Sequence, residues 1–262
     1  LDAAAAAVIV VPPVLAGLCL VPFFRLGQLP MQWHLLLGAS LGLGVTSLLV
    51  LALGLAGVLQ RAVWLGVLGM FTVVGIIRLR SLVALAASEK SDEQSPGHQT
   101  QPNAPPWLWL VLVPFLILAL LAAANAPGFI WTEEGYGYDV LEYHLQMPKE
   151  YFQAGHIAYA PHNIYANFPM NVEMLYLIAM VVHNEVYDLG TTANVIHLML
   201  GVLTVYAVWV VGREWSPKAG QVSAIAMGTV GWLGYLSGLA YVEHGMLLFS
   251  ATAVAALLRA IA

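Results

Sequence analysis

Residues that could carry acid/base chemistry cluster in one segment of the sequence, from Asn125 to Pro169. This segment holds five of the chain's 14 acidic residues and three of its eight histidines. A stretch with helical character, Val140 to Gln153, lies inside it and is bounded by Gly137 and Gly155. A helix over this stretch would present several titratable groups together.

Asp139, Glu142 and Tyr143 recur at three- and four-residue spacing, which places them on one face of a helix. His144 stands one residue further round. Carboxylates beside an imidazole and a phenol can exchange protons with a substrate, so this face is a candidate acid/base site. The other acids of the segment are interpreted as an ordinary solvated surface: Glu133, Glu134 and Glu150.

A second candidate acid, Glu243, stands beside His244 in the short connection YVEHG between two apolar stretches. A carboxylate held at a bilayer surface is costly to keep there unless it is paired or functional. The alternative is an exposed loop acid, and the sequence leaves both interpretations open.

Other kinds of site find little support in the sequence. Cys19 is the only cysteine, so the chain can form neither an internal disulfide nor a cysteine-based metal centre. His183 and His197 are spaced like haem ligands on one helix, but no second pair of histidines matches them. No metalloprotease, Walker A or dinucleotide motif occurs. The net charge of -5, without a basic run, argues against a nucleic-acid partner.

The composition predicts that these residues are carried by an all-α, polytopic transmembrane bundle. Of the 262 residues, 60% are hydrophobic and 9% are charged, whereas about 25% of a soluble domain is charged. A spanning helix needs about 20 mostly apolar residues. Glycines such as Gly38 and Gly42 suit close helix packing in lipid. Seven stretches are predicted to span the bilayer: Ala3–Phe24, Trp33–Leu59, Ala62–Ile77 (with a possible extension to Ala87), Trp107–Ala124, Leu189–Gly212, Ala219–Leu236 and Gly245–Ala262.

The sidedness of the candidate site depends on Met170 to Val182, which is apolar but short and interrupted by Asn171 and Glu173. Its length favours an interfacial or re-entrant helix over a span. If it does not cross, the positive-inside rule is satisfied throughout, with Arg213 and Lys218 on the cytoplasmic side. Asp139 and Glu243 then share the outer face.

The sequence resembles the start of a membrane glycosyltransferase of the GT-C superfamily, close to the bacterial dolichyl-phosphate-mannose-transferase-like members. The stretch YDVLEYHLQMPKEYFQAGHI places Asp139 at the position of the family's first acid. Phe168 to Tyr176 resembles its proline-led interfacial helix, and Tyr241 to Glu243 matches its second-acid position. Two features depart from many members: Val140 follows the first acid where a second acid is common, and Glu243 stands where Asp is common.

The resemblance covers residues 107–262 and implies a three-part organisation. Residues 1–87 form N-terminal transmembrane helices of unknown role, and 88–106 form a polar cytoplasmic linker. The core, 107–262, has a first span, an outer loop over 125–188 with interfacial helices, and three further spans. We expect the chain to be a fragment, since it starts at Leu1 and its last residues are still apolar.

The resemblance implies transfer of a hexosyl or pentosyl group from a polyprenyl-phosphate carrier to a glycan, lipid or protein acceptor, outside a bacterial cytoplasmic membrane. Asp139 would be the general base, and Glu243 would line the opposite wall. A divalent metal between the acids is compatible with the resemblance, since some members use one; no other cofactor is implied. Tyrosines could stack on sugar rings or anchor the loop at the interface. The side chains expected to bind substrate are Tyr138, Glu142, Tyr143, His144, Lys149, His156 and His244, with His144, Lys149 and His156 facing the leaving phosphate.

Two other functions stay open from the sequence. The first is a non-catalytic membrane protein, either a transporter or an assembly scaffold. A transporter would be expected to show internal repeats and polar residues at mid-membrane, and neither is evident. The second is a redox membrane subunit, which an absorption spectrum would reveal.

Overall fold

The structure is a computed structural model that describes residues 2–26, 28–92, 105–127, 137–187 and 189–261, apart from the side chains of 88–92. Most of the predicted linker lies outside the described residues, as do Trp131, Glu133, Glu134 and Tyr136. The described chain is helical, with no strand within these ranges. Its helices are α1 (Asp2–Gly17), α2 (Met31–Leu55), α3 (Arg61–Asp92), α4 (Leu112–Ala123), α5 (Gln146–Ala154), α6 (Glu173–His183), α7 (Leu189–Arg213), α8 (Pro217–Gly228), α9 (Gly231–Leu236) and α10 (Glu243–Ile261).

Five helices are long and apolar enough to cross a membrane, which agrees with an integral membrane protein. They correspond to α2, α3, α7, α10 and the run Pro106–Ala123, in which a 3-10 turn leads into α4. The other two predicted spans are interrupted. α1 has 16 residues and is followed by a separate 3-10 turn. In the other predicted span, the helix is interrupted between α8 and α9, where Val230 has an extended backbone. The count of seven therefore stays a prediction.

Close packing of α1 against α2 depends on glycine, as the sequence predicts. A Cβ atom added at Gly17 would lie 1.9 Å from the Gly38 carbonyl oxygen, and one added at Gly42 would lie 1.8 Å from the Pro13 carbonyl oxygen. No side chain fits at such distances, so these glycines let the two backbones touch.

The short apolar helix α6 is enclosed by the bundle rather than lying on its surface. It has 11 residues, too few to cross the hydrocarbon core of a bilayer. Every residue from Glu173 to Val182 is buried, and α6 packs against α1, α2, α3, α5 and α7. Of the interfacial and re-entrant positions that the sequence left open, α6 does not lie on the bundle surface, and a re-entrant position stays a prediction. A helix that is apolar on all sides is buried in protein or spans a membrane, and α6 is too short to span.

Contacts between helix ends show how the bundle is oriented. The end of α2 meets the segment that follows α5, where the Ile157 N–H donates to the Gly54 carbonyl (2.9 Å); we call this the site end. At the opposite end, the Trp33 indole N–H donates to Glu214 (2.8 Å), and Arg259 also pairs with Glu214. Trp33 lies at the start of α2, whereas Glu214 follows α7, so α2 and α7 run antiparallel.

Candidate active site

A widened helical turn carries the first group of predicted site residues. Gly137, with φ 75°, opens the turn, and Val140–His144 form a π-helical segment closed by the Leu145 N–H donating to the Val140 carbonyl (2.9 Å). Such single-turn π segments are rare and recur at functional sites. The helix that follows ends at Gly155, with φ 73°. Both glycines expected to bound this region therefore do so in the left-handed conformation that suits glycine.

Tyr143 lies at the centre of the candidate site, among three carboxylates. Burial raises the pKa of the Tyr143 phenol to about 12, and the charges of Asp139, Glu173 and Glu243 act in the same direction. Hydrogen bonding to Asp139 adds to the effect. Asp139 and Glu243 are distant in sequence, yet both act on one hydroxyl group. The structure thus brings the two predicted acids to the same end of the bundle.

His144 is held by an acid that was not among the predicted site residues. Its Nδ1 lies 2.7 Å from Glu173 Oε1, and both side chains are buried. The second oxygen of this carboxylate, Oε2, is buried without a hydrogen-bond partner. The sequence did hold a signal for Glu173, because an acid that interrupts an apolar run is costly unless it is paired or functional.

The second acid reaches the site through a loop that docks on α6. The Tyr176 hydroxyl donates to the Tyr241 carbonyl (2.6 Å), and the Tyr241 ring lies 5.1 Å from the His144 ring. Glu243 begins α10, where its carboxylate accepts a hydrogen bond from the Val242 N–H (3.1 Å). An acid in the first turn of a helix is favoured by the helix dipole.

Aromatic rings form one side of the site. Tyr143 stacks on Tyr165 with centroids 5.0 Å apart and an angle of 23°, and Phe168 meets Tyr143 edge-on at 6.1 Å. Asn163 fixes this arrangement, since its side-chain amide donates to the Glu142 carbonyl (2.9 Å) and its oxygen accepts from the Tyr165 N–H (3.0 Å).

Tyr138 and Glu142 form the outer edge of the candidate site. Tyr138 is exposed and next to Asp139 in the chain. The neighbouring Glu142 carboxylate is the main cause of a raised pKa of the Tyr138 phenol, with a smaller contribution from Asp139. Of these two predicted substrate-binding residues, Tyr138 is exposed and Glu142 is half-buried.

Lys149 and His156 contact groups other than the acidic residues around Tyr143. The Lys149 ammonium group lies 5.3 Å from the centre of the Tyr187 ring, and His156 is exposed with Nδ1 3.0 Å from the Ala154 carbonyl. Glu150, interpreted as a surface acid, pairs with the exposed His162 (3.0 Å). Of the three residues predicted to face the leaving phosphate, only His144 contacts one of the three carboxylates around Tyr143, that of Glu173.

Glu243 and His244 are adjacent in sequence but have different surroundings. The His244 ring is buried and stacks on His197 with centroids 4.0 Å apart. Its Nδ1 donates to the His197 carbonyl (2.8 Å), and its backbone N–H donates to His197 Nε2 (3.1 Å). The same ring lines an apolar cavity of about 180 Å³ with Leu198 and Leu233. His244 thus joins α10 to α7 rather than facing Tyr143 beside Glu243.

Within the described ranges, no group of three or more histidine, cysteine or acidic side chains is arranged to hold a metal ion. Compared with known proteins, the chain matches no family model, no curated protein and no solved structure.

Proposed function

We propose that this protein is a membrane glycosyltransferase that moves a sugar from a polyprenyl-phosphate carrier to an acceptor hydroxyl. The observation that carries the proposal is the convergence of Asp139 and Glu243 on Tyr143. Two acids from distant segments, one aromatic wall and a buried histidine–carboxylate pair together suit a sugar, its attacking hydroxyl and its phosphate leaving group. The five apolar helices fit a lipid-linked donor.

In the proposed reaction, Asp139 accepts the proton of the acceptor hydroxyl while the hydroxyl oxygen bonds to the anomeric carbon. The bond between that carbon and the phosphate oxygen breaks, and polyprenyl phosphate leaves with the bonding electron pair. A positioned base of this kind contributes about 10²–10⁴ to the rate. Tyr143 stays protonated at neutral pH because its pKa is about 12, so it serves as a hydrogen-bond donor beside the base.

His144 is the candidate for the leaving phosphate, which requires a cation or hydrogen-bond donors as its charge develops. The Glu173 carboxylate accepts from Nδ1, so Nε2 can donate to the phosphate only when the ring carries both protons as an imidazolium ion. Glu243 would bind hydroxyl groups of the sugar or the acceptor, and Tyr165 with Phe168 would pack on the sugar ring.

The test uses the full chain in detergent with a set of polyprenyl-phosphate-linked hexoses and pentoses and a panel of glycan, lipid and peptide acceptors. Mass spectrometry detects the glycosylated acceptor and the released polyprenyl phosphate. We expect release by the wild type and a loss of about 10²-fold or more in Asp139→Asn. Glu150→Gln, which removes a carboxylate outside the site, is the matched control and should retain activity. Release that is equal in wild type and Asp139→Asn would overturn the role of Asp139. No release from any donor would favour the alternative, a non-catalytic transporter or scaffold.

A further inference from the structure

A second polar cavity lies at the opposite end of the bundle, away from Asp139 and Glu243. It encloses about 300 Å³ between the segment that leads into α2 and the later turns of α3. Gln28, His34 and Arg78 provide its polar side chains, and Leu82 and Leu85 provide an apolar side. Nothing in the proposed transferase reaction uses this cavity.

The cavity carries positive charge without a counter-charge. Arg78 is half-buried, its Nε is buried without a hydrogen-bond partner, and it pairs with no carboxylate of the described chain. No acidic residue lines the cavity. A guanidinium N–H that is removed from water without a partner is costly, so the buried Nε of Arg78 favours an anion as the missing partner.

The other donors around Arg78 agree with an anionic ligand. His34 is within reach of the same space. Helix α2 starts there at Met31, after Pro30, without a side-chain cap. The first N–H groups of a helix have no partner within it and bind phosphate well. The Arg78 guanidinium group and the start of α2 thus line the same small volume, and His34 contributes its Nε2 there because its Nδ1 contacts the Pro30 carbonyl (3.4 Å).

We propose that this cavity binds the phosphate group of an anionic phospholipid. The planar guanidinium group matches two phosphate oxygens at once. A lipid source is favoured over free phosphate because the cavity continues onto an apolar, exposed face of α3. That face includes Ile77 and Leu85, both exposed, along which acyl chains can lie. Basic pockets between transmembrane helices are known to hold lipid head groups in this way. The inference is independent of the proposed reaction.

The experiment is native mass spectrometry of the full chain in mild detergent, titrated with phosphatidylglycerol or with the zwitterionic phosphatidylcholine. We expect wild type to retain one phosphatidylglycerol per chain in preference to phosphatidylcholine. Arg78→Gln should weaken that retention about tenfold or more, which corresponds to about 1.4 kcal/mol or more for the lost charged hydrogen bond. Arg80→Gln removes the same charge from an exposed position two residues away and should leave the retention unchanged.

Substitute variants and a comparison with inorganic phosphate distinguish the lipid site from its alternatives. If Arg78→Gln does not yield folded protein, Arg78→Lys and His34→Asn take its place, and each should weaken retention by a smaller factor. Equal weakening by the Arg78 and Arg80 variants would overturn the site in favour of general surface charge. A thermal shift produced by inorganic phosphate through Arg78, without lipid retention, would overturn the lipid as ligand.

Discussion

His144 Nδ1 lies 2.7 Å from Glu173 Oε1, and both side chains are buried between the π-helical segment and the start of α6. This contact joins the π-helical segment to the most enclosed helix of the bundle. It also sets the direction in which the imidazole faces, because a ring nitrogen bonded to a carboxylate fixes the orientation of the other nitrogen. The pair is thus a structural connection and a means of positioning His144.

Removing Glu173 should therefore lower stability as well as activity. Glu173→Ala leaves a buried imidazole nitrogen without its partner, and we expect a loss of about 1–3 kcal/mol in the free energy of unfolding. Glu173→Gln, which keeps an acceptor oxygen, should lose less. Thermal unfolding in detergent measures both. Glu150→Ala breaks an exposed pair with His162 and should change stability by less than about 1 kcal/mol. Equal stability of Glu173→Ala and wild type would contradict the pairing.

The contact between α1 and α2 should not accept a methyl group. Gly17→Ala would place its Cβ 1.9 Å from the Gly38 carbonyl oxygen. Overpacking of this kind costs about 1–3 kcal/mol, so we expect a clearly lower melting temperature. Gly66→Ala is the matched control, because nothing lies within 4 Å of a Cβ atom at Gly66. A control that melts as low as Gly17→Ala would show that the contact is not the cause.

Cysteines placed at positions 243 and 218, which lie at opposite ends of the bundle, should react with a labelling reagent from different sides of a membrane. In a Cys19→Ser background, Glu243→Cys should be labelled by an impermeant maleimide from the outer face of intact cells. Lys218→Cys, at an exposed position near the start of α8, should be labelled only after the cells are opened. Labelling of position 243 from the cytoplasm alone would remove the shared outer site for Asp139 and Glu243.

Alkaline pH should destabilise the protein partly through Tyr143. The folded-state pKa is raised from 10.0 to about 12, so the folded chain keeps a proton that the unfolded chain has lost between these pH values. The stability contribution is complete below pH 10 and is lost as the pH rises toward 12. Tyr143→Phe should therefore lose less stability than wild type over this range in denaturation measurements. Identical pH profiles would show that Tyr143 does not contribute.

Much of this architecture follows from local sequence patterns, and the remainder depends on contacts between distant segments. Gly137 and Gly155 could be predicted as boundaries because the need for glycine is local to a turn. The π-helical segment and the pairing of Glu173 depend on what surrounds them, which spacing in the sequence does not encode. The interruption at Val230 was also missed, because hydropathy measures the apolar length of a stretch and not the continuity of its helix.

The charges of Asp139 and Glu243 both raise the pKa of the Tyr143 phenol, and the proposed site depends on this. The most direct test places 3-fluorotyrosine at position 143, whose more acidic phenol titrates under milder conditions, and follows its ionisation by fluorine NMR. Asp139→Asn and Glu243→Gln should each lower the ionisation midpoint of this residue, because each removes a negative charge that disfavours the phenolate. Glu150→Gln should leave it unchanged. A midpoint that responds to Asp139→Asn and not to Glu243→Gln would contradict a common site.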